Sequence, residues 1–206
     1  MKDYIIWIII GYFSGSIMFA YLISKIFRKE DIRNISDDGN PGTANVFKYV
    51  GIPLGIIALI LELAKGFLPV YFSAKFLDIN KLAYALVLSA PVLGHAFPVY
   101  FKFKRGGKAI AVSFGALLGL IPDLQPALML AFFYLLFSLI IIIEPHLFRS
   151  IITFLSFCIM FVLFGESSGI ACGAIIISII VVIKHFFSYN GEKLKIRFLP
   201  AKLRKS

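Results

Sequence analysis

Apolar residues run in long stretches along this chain, and polar residues gather in short segments between them. The stretches cover 4–27, 50–72, 82–100, 109–121, 127–143, 150–164 and 170–187. A helix needs about 20 predominantly apolar residues to cross a bilayer. The pattern therefore predicts an all-α, polytopic integral membrane protein with about seven transmembrane helices, forming a single membrane-embedded domain over 1–206. The fourth and sixth stretches are short for a full crossing, which leaves five complete spans plus re-entrant segments as the alternative. Punctuation agrees with these boundaries. Pro122 and Pro126, then Pro145, end helices by removing donors and restricting the residues before them, and a glycine-serine cluster around Glu166 stops the sixth stretch.

Two features inside the stretches bear on packing. Gly11 and Gly15, with Ser14 and Ser16 beside them, put small residues at four-residue spacing and allow a neighbouring helix to approach closely. Glu62 and Lys65, three apart, share one helical face in the second stretch. A lone ionisable group at mid-membrane costs about 2.5–3.5 kcal/mol, so the two are expected to pair and to face protein or water. The weak charged start at Lys2 and Asp3 lacks a small-residue cleavage site, and stretch 4–27 is read as a retained helix.

Composition sharpens the class. The chain is 60% hydrophobic and 16% charged, with a mean hydropathy of +0.91, whereas a soluble domain is nearer one quarter charged. Its formal charge of +10 is spread in clusters between apolar runs, which points to membrane lipids and phosphorylated small molecules and away from nucleic acid. Cys158 and Cys172 both fall in apolar runs and read as free thiols. No His, Cys, Asp and Glu spacing suits a metal, and no cofactor is implied.

The cations also set orientation. Arg28, Lys29, Arg33 and Lys48 follow the first span, Lys102, Lys104, Arg105 and Lys108 the third, and Lys193, Lys195, Arg197, Lys202, Arg204 and Lys205 the last. By the positive-inside rule these segments are cytoplasmic and the N-terminus is outside, and His146 and Arg149 fall inside too. Two of the segments carry glycines. In 104–108, Gly106 and Gly107 between Arg105 and Lys108 suggest an anion cradle, with positive φ turning N–H groups toward one point. In the first loop, Gly39-Asn40-Pro41-Gly42 is turn chemistry that exposes amide donors. His95 reads as a hydrogen-bonded helix-end residue, and His146, after Pro145, as a solvated one.

Taken together, Gly15-Ser16-Ile17, Gly39-Asn40-Pro41-Gly42 with Asn45-Val46, Lys65-Gly66, Gly94-His95-Ala96-Phe97-Pro98, Gly106-Gly107-Lys108 and Lys184-His185 resemble the bacterial acyl-phosphate:glycerol-3-phosphate acyltransferases, the PlsY family. The resemblance runs nearly end to end. It implies a multi-pass protein of the bacterial cell membrane that transfers a fatty acyl group from acyl phosphate to the 1-hydroxyl of glycerol 3-phosphate, giving lysophosphatidic acid. It further implies phosphate binding by Asn40, Gly42, Asn45, Lys48, Gly106, Gly107 and Lys108, with His185 as the catalytic residue that orients or deprotonates the hydroxyl. The donor's own phosphate is the alternative proton acceptor.

The chain also departs from the family pattern. Ser36-Asp37-Asp38-Gly39 is one residue longer and puts an acidic pair where a hydroxyl would face a phosphate. Lys48 stands for an arginine, Glu62 for an aspartate, and Ser188 for the asparagine three residues after His185. Arg105 is inserted before the glycines and Val112 replaces a threonine. These changes keep a second reading open, a divergent paralogue with changed acceptor or a non-catalytic lipid-binding or modulatory protein.

Overall fold

The computed structural model describes residues 1–165 and 167–198, so Glu166 and the cations Lys202, Arg204 and Lys205 lie outside the described residues. The first apolar stretch forms α1 (Lys2–Ser16) and α2 (Phe19–Phe27), separated by a break at Ile17 and Met18. The polar segment after it folds into two short helices, α3 (Ile32–Ile35) and α4 (Thr43–Tyr49). Then come α5 (Ile52–Ala74), α6 (Tyr84–Ala96) with a 3-10 turn over Val99–Phe101, α7 (Ile110–Leu118), α8 (Gln125–Leu135), α9 (His146–Phe164) and α10 (Ser168–Phe186).

Among the described residues, five helical segments are long and apolar enough to cross a bilayer: Lys2–Phe27, Ile52–Ala74, Tyr84–Phe101, His146–Phe164 and Ser168–Phe186. The expected count of seven is thus replaced by five long spans and a shorter pair, α7 and α8. Their connecting turn explains the pair. Asp123 and Gln125 share a hollow with Asn80 and Ser167, at the end where Ser167 and Ser168 donate to the carbonyls of Ile79 and Asn80. From Lys108 to Asp123 the chain therefore runs from one end of the bundle to the other, and α8 brings it back.

The fifth apolar stretch does not stay helical to its end. Helix gives way after Ile140, and Ile141–Glu144 forms a strand, β1, paired antiparallel with β2 (Lys195–Phe198) so that Ile141 faces Phe198 and Glu144 faces Lys195. Four consecutive isoleucines favour the extended chain, and Pro145 disfavours helix at Glu144.

Nearly every residue of α6 is buried, and it packs against α1, α7 and α10. Its seam with α1 is made by glycines. A Cβ at Gly15 would lie 2.0 Å from the Pro91 carbonyl oxygen and one at Gly94 2.1 Å from that of Tyr12, so the backbones touch as the small-residue spacing predicts. The core joins Leu88, Val92, Leu117, Phe154, Phe157, Ile170 and Ile177. Large apolar side chains such as Ile5, Ile9, Ile56, Ile60, Ile159 and Leu163 point outward, as a lipid-facing surface requires.

Arg33 ties the first polar loop to the far end of α6. Its guanidinium lies between the rings of Tyr21 and Phe101, 4.7 and 4.4 Å from their centroids, and pairs with Asp31 at 2.6 Å. The hydrogen bond from Arg33 holds the Asp31 carboxyl below the usual carboxylate range. That clamp brings the loop carrying Asn40 over the segment carrying Lys108.

Candidate functional site

A cavity of about 720 Å³ opens at this end. Its polar side is lined by Asn40, Gly42 and Thr43 from the first loop, Lys108 from the segment before α7, and His146 and Arg149 from the first turns of α9. Leu59 and Leu63 of α5, Phe114 and Leu118 of α7 and the ring of Tyr134 form an apolar wall, while Glu62 and His95 close the depth. The cavity thus presents cations and amides on one side and hydrocarbon on the other, which suits a ligand that is anionic at one end and apolar along its length.

Although it belongs to a polar segment rich in cations, only 8% of Lys108 is exposed. Its ammonium donates to Asp38 Oδ2 at 2.7 Å. The other oxygen, Oδ1, accepts from Asn45 Nδ2 at 2.8 Å and from the Asn40 backbone N–H at 3.1 Å. Burial pushes the Asp38 carboxyl up, but the hydrogen bonds from Lys108 and Asn45 and the ammonium charge outweigh it and hold the group below its ordinary value. Asp37 behaves differently. It turns outward to Lys48 Nζ at 2.6 Å, and that pair is exposed and apart from the cavity lining. Lys48 is raised and Asp37 lowered by their mutual hydrogen bond.

The glycines of 104–108 serve contact rather than conformation. Positive φ falls at Lys102, Phe103, Arg105 and Ala109, not at Gly106 or Gly107. A Cβ at Gly106 would meet the Ala96 carbonyl oxygen at 2.1 Å, and one at Gly107 would meet His95 Nε2 at 2.1 Å. The Gly107 N–H donates to the His95 carbonyl at 3.1 Å, so it is committed to the fold instead of an anion. Neither glycine lines the cavity. What they do is bring Lys108 down onto the end of α6.

Beneath Lys108 lies a charged cluster that the sequence shows only as the pair Glu62 and Lys65. The Lys65 ammonium contacts Glu62 Oε2 at 2.6 Å, the Ile17 carbonyl at 2.6 Å and His95 Nδ1 at 2.8 Å. Because Nδ1 accepts from the ammonium, the His95 ring carries its hydrogen on Nε2, and Nδ1 and Glu62 Oε2, 3.2 Å apart, are two acceptors held together by the ammonium between them. Glu62 Oε1 in turn accepts the Ala20 N–H at 3.4 Å. The carbonyl and amide left unpaired by the break between α1 and α2 are thus satisfied by one ion pair from α5. His95 is hydrogen-bonded, as expected, but to side chains rather than local backbone.

His185 is fully buried, and Nδ1 is 2.9 Å from the Val181 carbonyl, one turn back on α10. That bond places the hydrogen on Nδ1 and leaves a lone pair on Nε2, which has no hydrogen-bond partner among the described residues. His185 does not line the cavity. His146 does, with its ring edge-on to that of His185 at 5.8 Å between centroids, and Ser150 Oγ lies 3.4 Å from His146 Nδ1. Of the residues assigned from sequence, the structure brings Asn40, Gly42 and Lys108 to the cavity and Asn45 to its edge through Asp38; Lys48, Gly106, Gly107 and His185 stand back from it. Sequence reasoning gave no site role to Arg149, His146, Tyr134 or Glu62. Only spatial closure of α5, α8 and α9 over Lys108 reveals them.

The residue pattern of the glycerol-3-phosphate acyltransferases, described as "Glycerol-3-phosphate acyltransferase", matches residues 5–190. A protein of that name from Staphylococcus haemolyticus is 32% identical over 209 residues, covering 95% of this chain and 98% of that protein. Another, from Endomicrobium trichonymphae, is 44% identical over 117 residues, which is 56% of this chain and 57% of its own length. Among solved structures, PlsY, an integral membrane glycerol 3-phosphate acyltransferase, superposes in its glycerol 3-phosphate form with a TM-score of 0.77 at 28% identity, covering 89% of this chain and 88% of that one. Its lysophosphatidic acid form gives 0.73 at 27% identity, covering 88% and 87%.

Proposed function

The chain belongs to the glycerol-3-phosphate acyltransferase family, and we propose that it transfers a fatty acyl group from an acyl phosphate to the 1-hydroxyl of glycerol 3-phosphate, releasing lysophosphatidic acid and phosphate. The observation that carries this reading is the two-sided cavity, with Lys108, Arg149, His146 and Asn40 facing Leu59, Leu63, Phe114 and Leu118. The apolar wall accepts the acyl chain. The cations and amides accept the two phosphates, Lys108 with Asn40 and Asn45 holding one and Arg149 with His146 the other.

An acyl phosphate is a mixed anhydride, so its carbonyl carbon is attacked directly by the hydroxyl oxygen. The new ester C–O bond forms as the bond to the phosphate oxygen breaks, and no covalent enzyme intermediate is required. Neutralising the departing phosphate is the main electrostatic task, and it falls to the cations. The hydroxyl proton has an acceptor at the cavity in the departing phosphate; the Nε2 lone pair of His185, buried behind the lining, is the alternative only if the site opens toward α10. His185→Gln distinguishes them, because loss of a general base lowers turnover by about 10²–10⁴-fold, whereas transfer to the phosphate leaves it within a few-fold. Purified protein given an acyl phosphate and glycerol 3-phosphate is expected to yield lysophosphatidic acid and phosphate in equal amounts. Failure to consume acyl phosphate with any phosphorylated polyol, in well-folded protein, overturns the reading. The same proposal places the chain in a bacterial cell membrane with its cavity facing the cytoplasm, since the loops that build it carry Arg28, Lys29, Lys102, Lys104 and Arg105.

A further inference from the structure

Asp38 holds the donors that the proposed function assigns to a substrate phosphate. Its carboxylate takes the Lys108 ammonium at 2.7 Å, the Asn45 amide at 2.8 Å and the Asn40 backbone N–H at 3.1 Å. These are the donors assigned above to a phosphate, and they are the kind that hold carboxylate and phosphate oxygens alike. Lys108 faces the cavity and an ammonium has three donors, but an anion there gains the Asn45 amide and the Asn40 N–H together with it only by replacing the carboxylate. The means of release are present. The Asp38 side chain is 35% exposed, and Gly39 beside it sits at φ 60° with little around it. Asp37, paired outward with Lys48, plays no part.

We infer that Asp38 is an internal occupant of the anion site, a carboxylate that phosphate must displace and that thereby sets the affinity for the phosphorylated substrate. The inference rests on reading Lys108, Asn40 and Asn45 as the phosphate donors. Occupancy by Asp38 leaves only a fraction of molecules competent to bind, and apparent affinity falls by that fraction. A phosphate held by these donors is weakened in the ground state and the transition state alike, so the effect belongs in the KM of the substrate that uses them rather than in kcat.

Inorganic phosphate is the probe, titrated against the full chain in detergent by calorimetry, with acyl transfer measured in parallel. Asp38→Asn and Asp38→Ser are expected to bind phosphate roughly tenfold more tightly than the parent and to lower KM by a similar factor for whichever substrate, glycerol 3-phosphate or acyl phosphate, these donors hold, with kcat unchanged. Asp123→Asn, at the opposite end of the bundle, makes the same change in net charge and should leave both constants alone. Parent-like or weaker phosphate binding in both Asp38 variants, with parent-like thermal transitions, overturns the inference and makes Asp38 a scaffold for Lys108. Should the variants misfold, the parent is tested by carboxylate-specific labelling. Saturating phosphate must raise labelling at Asp38, and no rise overturns the proposal. Tighter phosphate binding in chains that transfer no acyl group would keep the occupant and remove the acyltransferase reading. Acyl transfer with unchanged phosphate affinity would do the reverse.

Discussion

Lys108 is the residue at which the loop, the cavity and the inserted acid meet, and its burial changes what a substitution there means. A lysine in a solvated loop can be truncated with little loss of stability, but this one leaves Asp38 half-buried and short of its cation. Lys108→Ala is therefore expected to abolish turnover and also to lower the thermal transition. Adding Asp38→Asn should recover much of the transition without the activity, a coupling of about 0.5–3 kcal/mol between neighbours in one network. Equal transitions for parent and Lys108→Ala would show that the pair contributes nothing to the fold. Acid should reach the same contact. The depressed carboxyl of Asp38 contributes stability above the unfolded-state value, near 4, and loses it as pH falls through the lower folded value, so the difference between parent and Asp38→Asn should shrink below about pH 4. Sequence alone named Lys108 and flagged the acidic pair. It had no means of telling that Asp37 turns out and Asp38 turns in, because adjacent residues in a loop have no fixed periodicity to separate them.

Among the elements, α5 does the most to shape the site. It carries Leu59 and Leu63 for the apolar wall and Glu62 and Lys65 for the staple across the break between α1 and α2. The pairing of Glu62 with Lys65 was legible from a spacing of three, since that spacing puts both on one helical face. The break itself was not, because an apolar run gives no sign of where a helix stops when another helix supplies the missing partners. Lys65→Met removes the donor to the Ile17 carbonyl and strands Glu62, and is expected to destabilise by about 3–5 kcal/mol, the usual result of breaking a buried pair from one side. Glu62→Leu with Lys65→Met should be milder than Lys65→Met alone. If the double variant is worse, the pair is needed for more than mutual neutralisation. Gly107→Ala tests the neighbouring contact: with His95 Nε2 only 2.1 Å from the new Cβ, the segment before Lys108 must lift, and activity should fall more than stability.

At the scale of the whole molecule, the orientation expected from charge does not depend on the number of long spans. The stretch from the end of α6 to the start of α9 leaves and returns to the cavity end, because α7 and α8 make an out-and-back pair, so replacing seven long spans by five changes no loop's side. The lysines and arginines give an expected orientation that labelling must test; the shortness of α7 and α8 was visible in the sequence, but not that their turn reaches Asn80. The orientation is testable with single cysteines placed after Cys158 and Cys172 are replaced by alanine. Thr43 opens α4 and Lys104 and Lys193 lie on loops, all at the cavity side, whereas Asp78 lies in the opposite loop. Cysteines at the first three positions should resist a membrane-impermeant thiol reagent in intact cells and react in inverted vesicles, and Asp78→Cys should do the opposite. Ser113, though close in sequence to the cavity, is fully buried within α7 and would report packing instead of side. Should Thr43→Cys and Lys193→Cys label from different sides, the loops that supply Asn40 and follow His185 could not belong to one end of the bundle.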